Sequence, residues 1–303
     1  MKITAEQKKQ VKGQGFLFNR GSEDRFSGRI ITENGVLSAR QLKNLSEAAE
    51  KFGNGEIAFT TRMTVELPGV RFEDIPAFQE HVAQAGMETG GTGAKVRPVV
   101  ACKGTVCVFG LIDTQALAAE IHNRFYRGYR QVALPHKFKI AVGGCPNNCV
   151  KPDLNDFGIV GQRVPVLDES ACRSCKKCGV ASACPMGAAE LEETIRIREE
   201  NCNNCGRCVA NCPFGAVRGK AEGYRVYIGG RWGKQVRHGT PLPGVYDHDQ
   251  VMELLEKAIL LFKSEGQAGE RFGVMIDRLG VEETQKLLAS DALLVRKREI
   301  LDR

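Results

Sequence analysis

The first part of the chain alternates between segments with the hydrophobic period of strands and segments with that of helices. The run SGRIITENGVLS is rich in β-branched residues up to Asn34-Gly35, a pair typical of a tight turn. Ser38 and Gln41 have the spacing of a capping box, so they predict the start of a helix. Gly53 follows this helical run and predicts its end.

A strand and a second helix follow in the pattern. The run GEIAFTTRMTVELPGV predicts one long strand, with Arg62 in its middle and Pro68-Gly69 at its end. The run DIPAFQEHVAQAG predicts a helix, because Pro76 lies near its start and Gly86 just past its end. The N-terminal part is therefore expected to mix strands and helices.

The middle of the chain changes character at about Val164. Before that residue, VRPVVAC, KFKIAVGGC and DFGIVGQRV predict strands, and DTQALAAEIHNRFYRGY predicts a helix. From Val164 to Gly219 the chain is dense in cysteine and repeats itself with an offset of 30 residues, Cys172 matching Cys202. This stretch has too little apolar mass to hold itself together, so we expect a metal to do so. The pattern predicts an α/β body interrupted by a small inserted domain, with helices from Asp249 onward.

Composition narrows the class of protein. Hydrophobic residues make up 42% and charged residues 26% of the 303 positions, as in soluble globular proteins. The N-terminal run MKITAEQKKQVKG has no apolar stretch, so we expect no secretory signal. No run approaches the roughly 18 apolar residues of a membrane span. We therefore expect a cytoplasmic protein with no membrane partner.

Cysteine is the residue type that carries the chemistry. A cytosolic compartment keeps thiols reduced, so the cysteines are not expected to form structural disulfides. Twelve is three sets of four, and four thiolates hold one cubane iron–sulfur cluster. The twelve are Cys102, Cys107, Cys145, Cys149, Cys172, Cys175, Cys178, Cys184, Cys202, Cys205, Cys208 and Cys212.

The formal net charge of +7 raises the question of nucleic acid. The basic residues are scattered, and no basic stripe interleaved with aromatic residues is present, so we expect no nucleic-acid partner. Solubility is one explanation of the excess charge. Another is that three all-cysteinate clusters of about −2 each would offset most of it.

The inserted stretch contains two copies of one cysteine motif, CRSCKKCGVASACP and CNNCGRCVANCP. Over some 40 residues the pair resembles a bacterial two-cluster ferredoxin, in which the fourth cysteine of each motif reaches the other cluster. Zinc is the alternative metal, because it also takes paired C-x2-C ligands. The resemblance implies one cluster on Cys172, Cys175, Cys178 and Cys212, and a second on Cys202, Cys205, Cys208 and Cys184.

The four remaining cysteines form two pairs at predicted strand ends. Cys102 and Cys107 follow VRPVVA, and Cys145 and Cys149 follow KFKIAVGG, on a Gly-Pro-Asn turn that is free of ladder constraints. Two such pairs can converge on one cubane. On spacing alone, a zinc site is the alternative.

Four cations accompany these pairs. Lys137 and Lys139 lie on one face of a predicted strand by its period of two, Arg62 lies mid-strand, and Arg97 lies at a strand start. Each of them taken singly is explained as surface charge.

Together, these features resemble the sirohaem-dependent sulfite and nitrite reductase family, in which TTR, an arginine before the first cysteine pair, LP-x-KFK and GCPN-x-C carry the site. The chain is most similar to the anaerobic sulfite reductase group, in which an inserted two-cluster ferredoxin is part of the catalytic subunit. The first pair here is C-x4-C, where many members have C-x5-C.

The resemblance implies a role for each matching residue. Arg62, Arg97, Lys137 and Lys139 would surround an oxyanion on the open face of the haem iron. The cysteines at 102, 107, 145 and 149 would hold a cubane, with Cys149 also joining it to sirohaem. Thr61 and Arg62 of the TTR motif, with Asn147 and Cys149, would be the residues that bind the cofactor.

The resemblance also implies a fold and its domains. The expected fold is an α+β sulfite-reductase half-unit with an inserted ferredoxin domain. A ferredoxin-like domain would span residues 1–94, and a sirohaem and [4Fe–4S] α/β domain residues 95–163 and 220–303. The inserted domain with two [4Fe–4S] clusters would span residues 164–219.

Three functions remain open on the sequence. The first is six-electron reduction of sulfite to sulfide at a sirohaem coupled to a [4Fe–4S] cluster and fed by two ferredoxin-type clusters. The second is reduction of nitrite by the same chemistry, and the third is a non-catalytic electron-transfer subunit. The GGTG run at Gly90 lacks the spacing of a dinucleotide site, so electrons are expected from a partner protein or subunit. Because each family motif occurs once, a homodimer or higher homo-oligomer is expected.

Overall fold

The structure is a computed structural model that describes residues 3–302, with the side chains of residues 221 and 222 left aside. It has an α+β fold whose chain forms two compact units. The first unit comprises the chain up to Ala101, Ala116–Ala141 and the chain from Glu256. The second unit comprises Cys102–Gln115 and Val142–Leu255. The three-domain boundaries expected from the sequence stay a prediction.

The elements are numbered along the chain. The α-helices are α1 (Ala5–Gly13), α2 (Ala39–Phe52), α3 (Ile75–Ala83), α4 (Thr114–Ile121), α5 (Gly179–Ala183), α6 (His248–Glu265), α7 (Phe272–Leu279), α8 (Val281–Ala289), α9 (Ala292–Val295) and α10 (Lys297–Asp302). The strands are β1 (Phe16–Phe18), β2 (Arg25–Ile30), β3 (Ala58–Phe59), β4 (Val65–Arg71), β5 (Val100–Ala101), β6 (Ile140–Gly143), β7 (Phe157–Leu167), β8 (Ala189–Leu191), β9 (Ile195–Ile197), β10 (Val217–Ile228) and β11 (Thr240–Pro241). Short 3-10 turns cover Gly104–Val106, Pro152–Leu154, Glu169–Ala171 and Val209–Asn211, and a π-helical segment, His122–Arg127, continues α4.

An antiparallel sheet of order β1-β2-β4-β3 forms the N-terminal part of the first unit. Burial alternates along β2, where Phe26, Gly28 and Ile30 face inward. Helices α2 and α3 pack against each other and against β4. The ring of Phe78 meets that of Phe16 edge to face, with 5.7 Å between centroids. The sheet and its two helices therefore enclose an apolar core.

The predicted turn and helix start of this region are confirmed. Asn34 and Gly35 have φ values of 55° and 86°, as a tight turn with left-handed residues requires. The Ser38 hydroxyl accepts from the Gln41 backbone N–H at 3.2 Å, and the Gln41 side chain accepts from the Ser38 N–H at 2.9 Å. This reciprocal pair is the capping box, and α2 ends at Phe52, directly before Gly53.

The long strand predicted through Arg62 is wrong. The chain turns between β3 and β4, where Met63 has a φ of 57° and the Thr60 N–H donates to the Thr64 carbonyl at 2.9 Å. Arg62 therefore lies in a turn. Strand β4 also continues through Pro68-Gly69, because a register shift against β2 accommodates the proline as a bulge.

The strands near the cysteine pairs are shorter than predicted. Only β5 and β6 are ladder strands, so Arg97, Lys137 and Lys139 lie just before them. Their segments are joined by a parallel bridge between Val96 and Phe138. The predicted helix between them is confirmed as α4, which continues as the π-helical segment.

A five-stranded sheet of order β11-β10-β7-β6-β5 carries the insert. Strands β7 and β10 pair as a long antiparallel ribbon, from Phe157 opposite Ile228 to Leu167 opposite Val217. Strand β7 is therefore longer than predicted. The small hairpin of β8 and β9 lies beyond the ribbon, with Ala189 opposite Ile197.

The helices predicted from Asp249 onward are confirmed as α6 to α10, and from Glu256 they belong to the first unit. The rings of Phe138, Phe262 and Phe272 are fully buried and pack on one another. Among the helices of residues 3–302, none combines the length and apolar character needed to span a membrane.

Candidate metal centres and cationic site

The two cysteine pairs of the second unit come together through their backbone turns. The Gly144 N–H donates to the Cys102 sulfur at 3.1 Å, and the Cys102 N–H donates to the Val142 carbonyl at 3.1 Å. A Cβ on Gly144 would lie 2.9 Å from the Cα of Gly104, so the two turns cross where neither has a side chain. The di-glycine before Cys145 is explained by this close approach.

All four thiols of these pairs interact electrostatically. Burial raises the pKa of Cys145, the Asn147 backbone N–H lowers it, and the neighbouring thiols of Cys102, Cys149 and Cys107 raise it further. These thiols thus lie near one another in the second unit, although their sequence positions span two separate turns. Four thiols that lie near one another are the ligand set that a cubane cluster requires.

The turn that bears Cys149 is held by polar side-chain contacts that the sequence did not predict. Asn148 and Lys151 adopt left-handed conformations, with φ values of 57° and 48°. The Asn148 side chain donates to one oxygen of Asp153 at 2.8 Å, and His238 lies 2.8 Å from the other oxygen. Asp153 belongs to the GCPNNCVKPDLND stretch and could have been singled out as a candidate, whereas His238 is distant in sequence and carries no such signal.

The cysteines of the insert line two cavities. Each cavity has four of them on its wall, three from one motif and the fourth from the other. The structure thus groups these eight side chains as the ferredoxin resemblance implied. One set is Cys172, Cys175, Cys178 and Cys212, and the other is Cys184, Cys202, Cys205 and Cys208.

The fourth cysteine of each motif sits in a cradle of backbone N–H groups. Burial alone would raise the pKa of Cys184, but N–H groups led by that of Met186 lower it below the usual value. Burial is likewise overcome at Cys212, whose pKa is lowered by N–H groups led by that of Ala216, 3.4 Å from the sulfur. Backbone donors directed at sulfur favour thiolates, the form that binds iron. The two sites therefore fit the cubane clusters that the ferredoxin resemblance implies.

Cys208 differs from these two cysteines. It is buried, and burial raises the pKa of its thiol to about 11, with repulsion from the thiols of Cys202, Cys205 and Cys184 adding to the shift. A bound metal would be needed to hold this sulfur as a thiolate at neutral pH. Within residues 3–302, no group of three or more His, Cys, Asp or Glu side chains has the arrangement needed to hold a single metal ion.

The cations of the first unit lie on one face of a pair of segments. The bridge between Val96 and Phe138 buries both of these residues, whereas their neighbours on either side are only half-buried. Because side chains alternate along an extended segment, those neighbours point the opposite way. They are Lys95, Arg97, Lys137 and Lys139. Lys95 was missed by the sequence reasoning, although its offset of two from Arg97 was the available signal.

Arg62 is tied to the same pair of segments. Its guanidinium donates to the Pro98 carbonyl at 2.7 Å and to the Ile140 carbonyl at 3.0 Å. Thr61 is exposed beside it, in the turn between β3 and β4. The four cations predicted from the sequence are therefore gathered in one part of the first unit.

Arg97 is clamped by the glycine-rich run that the sequence left unexplained. Its guanidinium donates to the Gly91 carbonyl at 2.5 Å and to the Gly93 carbonyl at 3.1 Å. The Tyr126 hydroxyl, from the π-helical segment, accepts from the Gly91 N–H at 3.0 Å. The GGTG run thus orients an arginine, because its glycines, with positive φ, turn the carbonyls inward.

Comparison with known proteins identifies related chains. The chain is 32% identical over 265 residues to the coenzyme F420-dependent sulfite reductase of Methanocaldococcus jannaschii, covering 85% of this chain but 42% of that protein. It is 29% identical over 274 residues to an anaerobic sulfite reductase subunit of Salmonella typhimurium, covering 81% of this chain and 78% of that one. The chain thus spans less than half the length of the first of these relatives.

A solved structure shows the same fold. Dissimilatory sulfite reductase I superimposes with a TM-score of 0.71 and 21% identity, over 89% of this chain and 70% of that one. The α+β fold expected from the sequence is therefore confirmed.

Two family domains account for most of the chain. Residues 19–85 match the nitrite/sulfite reductase ferredoxin-like half domain, and residues 92–293 match the nitrite and sulphite reductase 4Fe-4S domain. Proteins of this family carry a [4Fe–4S] cluster and sirohaem. Because the second match alone spans the larger part of the chain, the protein belongs to the nitrite and sulphite reductase family.

Proposed function

We propose that this protein is a sirohaem-dependent sulfite reductase that reduces sulfite to sulfide with six electrons. The observation that carries the proposal is the cationic face of Lys95, Arg97, Lys137 and Lys139, together with Arg62. A protein that only relays electrons has no small anionic substrate for these cations to bind. A dianion that must stay bound through several reduction steps does need such a concentration of positive charge.

The residues present fit the cofactors of the family. The neighbouring thiols of the GCPNNC turn and the CKGTVC turn would hold one [4Fe–4S] cluster, and Cys149 would join it to sirohaem. Thr61, Arg62 and Asn147 would contact the tetrapyrrole, whose carboxylates suit a cationic surface. Sirohaem, when bound, would supply an iron able to deliver electrons to the sulfur of the substrate. Two further clusters in the insert would bring the count to three.

The side chains of the first unit bind and protonate the substrate. A unit charge pair at 4 Å is worth roughly 4 kcal/mol at an effective dielectric of about 20, so each cation contributes strongly to anion binding. Lys137 and Lys139 can also donate protons as oxygen leaves as water, whereas Arg62 and Arg97 hold their protons and orient the anion. The clamp of Gly91 and Gly93 carbonyls keeps Arg97 in place without neutralising it.

The test of this function is Lys139→Ala compared with Lys220→Ala, an exposed lysine of β10 outside both cavities. In protein purified without oxygen, Lys139→Ala should keep the sirohaem absorption and lose sulfite reduction by about a hundredfold or more, with a reduced dye as donor. Lys220→Ala should match the wild type. Undiminished turnover in Lys139→Ala would contradict the proposal.

The same assay separates the competing functions. Both anions suit the same cations, so only the kinetics separate the two reductases. A nitrite reductase would turn over nitrite with a much higher kcat/KM than sulfite. A non-catalytic electron-transfer subunit would show iron and labile sulfide without sirohaem absorption. Stoichiometric zinc in anaerobically prepared protein would exclude the clusters themselves.

We also propose that the working form is a homodimer or a homo-oligomer built from it. Each family motif occurs once in this chain. In a symmetric dimer, the cations of one chain would serve the tetrapyrrole that the other chain's Cys149 binds. Co-expression of Lys139→Ala and Cys149→Ala chains should regain activity if one chain's cations serve the other chain's cluster. Heterodimers that form and stay inactive would show that each chain builds its own centre.

A further inference from the structure

The two cysteine loops of the insert have the same C-x2-C-x2-C spacing but different surfaces. In the first loop, CRSCKKC, the positions between the cysteines include three exposed cations, Arg173, Lys176 and Lys177. In the second loop, CNNCGRC, two asparagines and a glycine take equivalent positions, and Arg207 is the single cation. The two sites therefore present different charge to an approaching protein.

The second loop is built onto the body of the second unit. The Arg163 N–H of strand β7 donates to the Asn204 carbonyl at 2.8 Å, and Arg163 forms a parallel bridge with Cys205. Gly206, with a φ of 67°, lies against this strand, because an added Cβ would come within 2.8 Å of the Arg163 side chain. The second loop is therefore the inner one.

A cation–π contact joins this inner loop to the cysteine pairs outside the insert. The guanidinium carbon of Arg207 lies 4.8 Å from the centroid of the Phe109 ring. Phe109 follows Cys107 by two residues, and both of these residues belong to the second unit with the insert. The inner site is thus adjacent to the segment that carries the third set of thiols.

The first loop makes its hydrogen bonds within the insert. The Cys172 N–H donates to the Glu169 carbonyl at 3.1 Å, and the Ser174 hydroxyl donates to the Glu193 carbonyl. Its cavity is lined by Arg173, Lys177 and the half-exposed ring of Phe214. Glu169 and Glu193, whose backbone carbonyls accept from this loop, bring two carboxylates against its three cations, so the loop keeps a positive charge.

We propose that the site of Cys172, Cys175, Cys178 and Cys212 is where electrons enter, and that their donor is a small acidic one-electron carrier protein. This inference rests on the proposed function, since it needs clusters in all three sites. The rim of Arg173, Lys176 and Lys177 steers and holds the acidic face of the carrier, and the ring of Phe214 supplies an apolar contact. Opposite charge therefore selects this site, the outer one, over the inner site of the second loop.

Each docking event transfers one electron and changes no covalent bond. The reduced carrier would be oxidised as a cluster held by Cys172, Cys175, Cys178 and Cys212 is reduced, and the carrier would then leave. The inner loop would hold the cluster that receives the electron next, and the Arg207–Phe109 contact joins that loop to the segment of Cys107, whose thiol would help to hold the third cluster. Six such events supply one reduction of sulfite.

The test compares two double variants with the same change of charge. Arg173→Glu/Lys177→Glu reverses the rim, and Lys220→Glu/Lys234→Glu reverses two exposed lysines that line neither cavity. The probe is an acidic plant-type [2Fe–2S] ferredoxin, titrated onto the cluster-loaded protein by calorimetry at low and at high salt. The rim variant should lose at least about tenfold in affinity at low salt, and its residual binding should depend less on salt.

The matched variant should change affinity by less than about twofold, since charge away from the rim is screened. Both variants should keep the iron and labile-sulfide content of the wild type, which shows that the clusters are intact. Equal losses in the two variants, unchanged binding in the rim variant, or no binding to the wild type at low salt would each overturn the proposal. Because binding is measured without turnover, a failure of the docking site is distinguished from a failure of the proposed reaction.

Discussion

The N-terminal sheet and the insert are two small folds that are held together by different means. Buried apolar side chains make up the whole core cluster of the N-terminal part, with aromatic residues such as Phe16, Phe26 and Phe78 fully buried. In the insert, the buried cluster is small, and a cysteine, Cys208, belongs to it. Four further cysteines pack against that cluster, so cysteines take core positions that a larger domain would fill with aliphatic residues such as leucine.

This difference follows from how much apolar surface each part can bury. Burial contributes about 25 cal/mol per Å², which is enough for a sheet covered by two helices. A segment of the insert's size cannot offset its conformational entropy in this way and needs a metal or a disulfide. We therefore expect that the same thiols that would bind clusters would also hold the insert together. The N-terminal sheet, by contrast, has an apolar core to which no thiol contributes.

Removing iron should speed up amide exchange far more in the insert than in the N-terminal sheet. If clusters hold the insert, anaerobic chelation should leave the amides of residues 164–219 exchanging with solvent at least about tenfold faster. The amides of β1, β2 and β4 should change by less than about twofold, because no thiol contributes to their core. Hydrogen–deuterium exchange with mass spectrometry measures both regions in one sample, and equal protection of the insert before and after chelation would refute the idea.

Truncating an aromatic residue should produce the reverse pattern. Phe78→Ala empties a fully buried position, so the free energy of unfolding of the first unit should fall by about 3–5 kcal/mol. Phe59→Ala is the matched control, because that ring is 72% exposed and its loss should cost little. Denaturant unfolding followed by circular dichroism gives the two values. Similar losses in the two variants would show that the N-terminal core is not what holds this region.

A buried carboxylate should make the first unit sensitive to acid. Although burial alone would raise it, hydrogen bonds from Lys297, Tyr129 and Arg124 keep the pKa of Glu256 below its usual value of 4.5. A lowered folded-state pKa adds stability above the unfolded-state value, and this stability is lost as the pH falls through the folded-state value.

We therefore expect Glu256→Gln to lower stability near pH 7 by about 1–2 kcal/mol, a modest figure because Arg124 and Lys297 are each nearly half exposed. The difference from the wild type should shrink below pH 4.5, where the wild-type carboxylate is itself being protonated. Thermal melts at several pH values test this, and a difference that grows in acid would contradict it.

The smallest expected effect concerns one hydrogen bond at a helix start. Ser38→Ala removes the capping hydroxyl of α2 and should cost about 1 kcal/mol. Ser46→Ala, at an exposed position inside the same helix, should leave stability unchanged or slightly raised, since alanine has the higher helix propensity. Denaturant midpoints of the two variants give the comparison, and equal shifts would assign the loss to something other than the cap.

Local signals in the sequence predicted local structure well. The Asn34-Gly35 turn and the Ser38 capping box are confirmed, because the residues that determine each of them lie within a few positions of one another. The prediction around Arg62 was wrong for the complementary reason. The β-branched run on either side of it favours a continuous strand, and the turn is stabilised by the hydroxyl of Thr32, which donates to the Met63 carbonyl.

The sequence by itself predicted the candidate chemistry of this protein, because twelve cysteines in repeated spacings and four cations in family motifs indicate candidate ligands without any knowledge of the fold. Only the tertiary structure decided what those residues touch. It added Lys95 to the cations, clamped Arg97 with glycine carbonyls and set the inner cysteine loop against Phe109. The physical reason is that the type of a ligand is a property of a single residue. The density of charge, the burial of thiols and the grouping of cysteines depend instead on contacts between segments far apart in the chain.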